Sequence, residues 1–197
     1  LQEWLWDPTF DQEEQAREQA ARAERLRNLD EGDRERVISL LARQQEINAL
    51  AAQNPSFTGE LLRTELTKTD RLVEAFIEMA NTCSRYDAYL DSIDLSELER
   101  DRRRWEKIVR DETNRTSETE IAGKNLAVIM KRFDKMKEIH HYLTLARGQL
   151  DLIENSFQLI ADQIVTMQSP QELTGQLDEL LDGVESIKQT AADTERL

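Results

Sequence analysis

The chain holds one cysteine, three prolines and six glycines in 197 residues, and each scarcity excludes something. A lone cysteine permits no intramolecular disulfide, so nothing argues for an oxidising compartment, and a cytoplasmic location is expected, with membrane association only through segments outside this chain. Gly and Pro are few, while Ala, Glu, Lys, Leu and Arg together make 92 residues, a composition that excludes a sheet-rich fold and goes with long helices. No apolar run approaches the ~18 residues needed to cross a bilayer. No Gly-rich phosphate loop, Cys-x-x-Cys pair, His-Glu-x-x-His or Gly-x-Ser-x-Gly element occurs, so no enzymatic activity, cofactor or small-molecule substrate is expected.

What is present is charge and aliphatic periodicity. The 40 acidic residues outnumber the 26 basic ones, for a net charge of −14, while 48 Leu, Ile, Val and Phe residues are enough to exclude general disorder. The chain opens at Leu1 rather than Met and closes in a stretch that still reads as helix, which leads us to expect a fragment or a processed product. Its opening, Leu1-Gln-Glu-Trp-Leu-Trp-Asp7, lacks the basic start and apolar centre of a signal peptide.

The prolines fall where helices can start, because a ring with fixed φ and no N–H does least harm in a first turn. Asp7-Pro8 predicts a cap and a helix over about 8–29. Asp30-Glu-Gly32-Asp33 predicts a terminating glycine and a fresh cap, followed by an amphipathic helix to about Ala52. Ser169-Pro170-Gln171-Glu172 has the form of a capping box and predicts a last helix carrying Leu173, Leu177, Leu180, Val184 and Ile187. In that helix Gly175 and Gly183 each cost about 1 kcal/mol relative to Ala.

Between 60 and 168 no proline occurs and apolar residues alternate three and four apart. Two overlapping seams run from Leu62 to Leu90 and from Thr69 to Ile93, both passing through Cys83, which reads as a small core hydrophobe. A third runs Leu143, Ala146, Leu150, Ile153, Phe157, Ile160, Ile164 and Met167. A face that wide contacts several partner helices. Ser96-Glu-Leu-Glu99 and Ser117-Glu-Thr-Glu120 predict helix restarts. The stretch from Arg110 to Glu120, without an aliphatic or aromatic residue, predicts a hairpin tip. A helix over 118–168 would be roughly 75 Å long, so a rod is expected.

The predicted fold is therefore all-α: an elongated antiparallel helical bundle built around a long coiled-coil-like hairpin. Its segments are two helices over 1–55, the hairpin over 56–168 with a basic tip near 100–137, and a C-terminal helix over 169–197 packing back.

Four features bear on function. Glu138-Ile-His-His141 has the Glu-x-x-His spacing of ferritin-like metal bundles, but half the ligand set is missing and no bound metal is expected. Asn114-Arg-Thr116 is a formal glycosylation sequon, read as chance. The window Arg100–Lys137 carries twelve basic and seven acidic residues, hence +5, which leaves −19 for the rest. Such polarity can steer a tip toward an anionic partner. Arg100, Arg102, Arg103, Arg104, Lys107, Arg110, Lys131, Arg132 and Lys135 are the candidate contacts, with Trp105 among them as an apolar contact or a cation–π partner. Trp4, Trp6 and Phe10 form the fourth feature, as partner anchors or as staples of the first helix.

These features predict a non-enzymatic interaction or scaffold module, an adaptor or spacer within a larger protein or assembly, binding other proteins through helix faces, with self-association through unused seam positions open. The first alternative is a peripheral membrane module using the basic tip on anionic lipid; the second is a ferritin-like metal bundle. Nucleic acid is disfavoured, since −19 repels a polyanion.

Overall fold

The computed structural model describes residues 8–111 and 117–196, with side chains described from residue 12 onward. Six helices and, among the described residues, no strand make up the chain: α1 (Pro8–Arg27), α2 (Glu31–Gln53), α3 (Gly59–Asp91), α4 (Leu95–Arg110), α5 (Ser117–Gln163) and α6 (Pro170–Glu195). The all-α expectation holds, and two prolines, Pro8 and Pro170, stand at first helical positions as their fixed φ favours. The Asn114 sequon and the middle of the predicted Arg110–Glu120 tip fall on 112–116, outside the described residues.

The helices divide between two compact units, Leu1–Ser84 with Leu150–Leu181 and Arg85–Gln149 with Asp182–Leu197. In the first, α2 contributes Val37, Leu40 and Ile47, α3 Leu72, Val73, Phe76 and Ile77, α5 Leu150, Ile153, Phe157 and Ile160, with Ile164 just past its end, and α6 Leu173 and Leu177, all buried. The α5 residues stand three or four apart, so one face turns steadily toward its neighbours. Cys83 is buried too.

The junctions of this unit depart from the sequence reading in instructive ways. Asp30 caps α2, accepting from the Asp33 backbone N–H at 2.7 Å. Gly32 does not terminate α1; it lies within the first turn of α2. The end of α1 is closed instead by the Arg34 guanidinium, which donates to the carbonyls of Leu26 at 3.1 Å and Leu29 at 3.0 Å. A side chain that satisfies those carbonyls removes the need for a left-handed glycine.

Helix α5 ends at Gln163, short of the expected 168. The buried Asn54 amide donates to the carbonyls of Ile164 at 2.7 Å and Met167 at 3.0 Å, while its oxygen accepts from the Ser56 N–H at 2.9 Å. One side chain thus fixes the α2–α3 turn and the exit of α5. The turn leaves through Gly59, the only described residue with positive φ, at +59°. At the start of α6 the Ser169 hydroxyl donates to the Gln171 side chain at 2.6 Å rather than capping Glu172.

The second unit has a smaller core. Leu98 of α4 and Ile129 and Met136 of α5 form a buried cluster, with Leu90, Ile93, Trp105 and Phe133 packed against it. Tyr86 and Tyr142 meet edge to face with centroids 5.1 Å apart, beside buried Ile139, Leu143, Ala146 and Ile187. Asp94, not Ser96, caps α4, accepting from Glu97 N–H at 3.0 Å. With Ile93 held by the core, the helix begins one residue past Asp94, and Ser96 falls inside its first turn. At Gly183 an added Cβ would lie 2.6 Å from the Gln149 amide, so this glycine serves a close approach of that side chain.

Candidate interaction surface

Helix α4 sorts its side chains by face. Leu98, Arg102 and Trp105 recur three and four residues apart and turn toward α5. At 100° per residue the opposite side carries Arg100, Arg103, Arg104, Lys107 and Arg110, all exposed. Five bases at spacings of three, one, three and three form one stripe. Among the described residues Arg104, Lys107 and Arg110 make no ion pair, and Arg103 only a long one of 3.9 Å to Glu99 while 76% exposed. Arg100 donates to the Ser96 carbonyl within its own helix.

Arg102 does not belong to that stripe. It bridges Glu99 at 2.9 Å and Glu106 at 3.5 Å and lies over the Phe133 ring, 5.8 Å from its centroid. The hydrogen bond to Glu99 and the charges of both glutamates raise its pKa. Its charge is neutralised within the helix, and this also uses up two of the acids of α4. Trp105 is half-buried: it packs against the Leu98 cluster, and the Arg104 guanidinium lies 4.7 Å from its ring centroid. Arg104 thus makes the cation–π contact, and the buried half of the ring serves the core.

The bases of α5 are placed differently. Lys135 is half-buried, donates to the Thr194 carbonyl at the end of α6 and pairs with Glu138 at 3.6 Å, so it closes a helix terminus. Arg132 borders a cleft of about 390 Å³ opposite Asp94, Glu97 and Asp101. Lys131 is exposed and makes no ion pair with a described residue. Because α4 meets α5 through its Leu98 face, its stripe points away from α5, and the two sets of bases do not merge into one patch.

Of the other candidates, Trp4 and Trp6 lie outside the described residues, as does the side chain of Phe10, whose backbone belongs to α1. His140 and His141 are both exposed. No group of three or more His, Cys, Asp or Glu able to hold a metal ion occurs among the described residues, and none of the described helices is long and apolar enough to cross a membrane.

A count of charge over Arg100–Lys137 does not distinguish the faces that the bases occupy. The 3-1-3-3 spacing from Arg100 to Arg110 was the available signal. It separates the five outward bases from Arg102 before any coordinates are known. The pairing of Arg22 and Arg25 with Glu74, which ties α1 to α3, had no local signal, since its partners are about fifty residues apart. No family model, no curated protein and no solved structure matches the chain.

Proposed function

We propose that this chain is a non-enzymatic helical interaction module, an adaptor or spacer element that docks an acidic protein surface through the outer face of α4. The observation that carries this reading is the stripe Arg100, Arg103, Arg104, Lys107 and Arg110, exposed on one face of a single helix in a chain of net charge −14. Arg104, Lys107 and Arg110 have no carboxylate partner among the described residues and Arg103 only a long one; against an anionic partner such bases steer association and fix register. Each exposed contact is worth less than about 1 kcal/mol, so the docking is additive and salt-sensitive. A protein partner is favoured over a lipid surface because Leu98 and Trp105 of α4 are packed against α5, and its exposed apolar residues, Leu95 and Val109, lie on the side away from the basic stripe rather than beside it.

The test compares the full chain with an Arg103→Ala, Arg104→Ala, Lys107→Ala, Arg110→Ala variant, leaving Arg102 in its bridge. Both are used as bait against soluble and membrane fractions of the source cells, alongside vesicles rich in anionic lipid. The expected result is an acidic soluble protein retained by the parent chain, released by salt and lost with the variant. Equal retention by both chains, or retention on the vesicles alone, overturns the proposal.

A further inference from the structure

In the second unit α6 covers only part of the line it lies on. Gly183 meets the Gln149 side chain and the Thr194 carbonyl accepts from Lys135, so α6 runs antiparallel along α5, from Gln149 toward Lys135. Gln149, buried Tyr142 and Lys135 stand seven residues apart, and such a repeat keeps one line of a helix turned to one neighbour. The repeat continues past α6. Its next members are Val128 and Ile121, 59% and 55% exposed, each followed three residues on by a lysine, Lys131 and Lys124. Lys131 makes no ion pair with a described residue, and Lys124 pairs with Glu120 at the edge of this face at 2.8 Å. Helix α4 takes a different side of α5, that of Ile129, Phe133 and Met136. At the end of α6 a cleft of about 420 Å³ is walled by Tyr86, Tyr89 and Ile139, and Tyr89 also borders the cleft beside Arg132. The furrow that α6 fills therefore stays open where α6 stops.

We infer that the stretch of α5 from Ile121 to Lys131 receives an acidic amphipathic helix of a partner protein, laid end to end with α6 and antiparallel to α5. Continuity with the α6 contact selects a helix. On its inward side α6 sets Val184, Ile187 and Ala191 three and four residues apart, the anchor spacing by which a helix seats in a groove, and the same line of α5 runs on without a cover. Charge selects an acidic one. Along this line the charged members from Ile121 to Lys135 are lysines, and α6 itself meets a base of this unit with an acid, Glu195 to Arg85 at 2.8 Å. Complementary charges fix which helix docks and in what register. A lipid surface is the poorer match, because interfacial affinity scales with buried apolar area and this face offers two aliphatic side chains, while a net charge of −14 opposes an anionic bilayer. The site lies on a different helix from the α4 stripe and does not depend on it.

The probe is a synthetic helix of three heptads with Leu at the two core positions of each and Glu beside them, together with a counterpart carrying Lys in place of Glu. Each is titrated, by fluorescence anisotropy, with the full chain and with two variants, Lys124→Glu with Lys131→Glu and Ile121→Ser with Val128→Ser. All four positions are exposed, so helicity and melting are expected to stay at the parent's values. General attraction to a chain of −14 favours the Lys peptide. The inference instead requires that the Glu peptide bind the parent and bind each variant about tenfold more weakly or worse, while neither variant weakens the Lys peptide. A nitroxide at the N-terminus of the Glu peptide is expected to broaden the amide signals of Lys131 and Lys135, and one at its C-terminus those around Ile121. No binding of the Glu peptide, binding unchanged in either variant, or the opposite polarity overturns the inference. So does a loss of binding to phosphatidylserine-rich vesicles with peptide binding intact, which would assign the face to lipid.

Discussion

The two units bury different things. In the first, aliphatic and aromatic side chains from α2, α3, α5 and α6 interlock at nearly zero exposure, and two of the polar side chains that enter are held on both sides: Asn54 by two carbonyls, Gln44 by Thr69 and Asp70. In the second, the Leu98 cluster is small and half-buried residues surround it, while Val109, Ile121, Val128 and Met130 are exposed. Many of its charges are paired, as Lys135, Arg102 and Arg147 are, while the outer bases of α4 face solvent. A surplus of burial goes with stability, and a surplus of unpaired charge goes with recognition. The first unit thus holds the larger share of the burial, and the docking proposed above falls on the second.

The largest expected effect breaks the first core. Phe157→Ala removes a fully buried ring and is expected to cost about 4 kcal/mol, whereas Met136→Ala in the second unit costs about 2 kcal/mol, since its surroundings can relax toward solvent. Denaturant unfolding of both variants measures the difference, and equal losses would remove the distinction between the units. Next comes Asn54→Ala, which strips the carbonyls of Ile164 and Met167 of their donor at a buried site. A loss of about 2 kcal/mol is expected, with faster amide exchange at the exit of α5.

The same residues mark how much of this was legible in the sequence. Helix starts at Pro8 and Pro170 and the α5 seam from Leu150 to Ile160 follow from local rules, proline geometry and the 3.6-residue period, and both could be read directly. The end of α5 could not, because Asn54 closes it from more than a hundred residues away. Lys135 likewise read as a surface base until α6 placed the Thr194 carbonyl beside it. Short-range signals set where elements form; the partners of polar groups are set by tertiary contacts that a periodicity does not encode. The outward stripe on α4 is an intermediate case, present in the spacing but invisible to a tally of charge.

A smaller effect separates α1 from the core it borders. Nearly all of its described residues before Leu26 are exposed, and its tie is Glu74, which accepts from both Arg22 and Arg25. Burial pushes the Glu74 carboxyl up, but hydrogen bonds and charge from the two arginines outweigh it and hold the pKa below the ordinary 4.5. A carboxylate lowered in the folded state contributes stability that is present above its unfolded value and lost as pH falls through the folded one. The tie therefore holds at neutral pH and releases only as pH falls below the ordinary carboxylate range. With Glu74 39% exposed, solvent screening limits Glu74→Gln to under about 1 kcal/mol. Hydrogen exchange over residues 12–25 should accelerate in that variant while exchange in α5 is unchanged; protection equal to the parent's would mean α1 is held by something else.

The smallest expected change in stability is the most informative about the division of labour. Arg104→Ala with Lys107→Ala removes two bases that have no carboxylate partner among the described residues, so unfolding should shift by no more than about 0.5 kcal/mol. Arg102→Ala, one position inward in space, should cost more, because it leaves Glu99 and Glu106 facing each other and uncovers Phe133. If recognition resides on the outer face, the double variant loses partner binding at full stability, and the Arg102 variant loses stability while its outer bases still bind. The reverse pattern would place the contact between α4 and α5 and merge the two roles in one face.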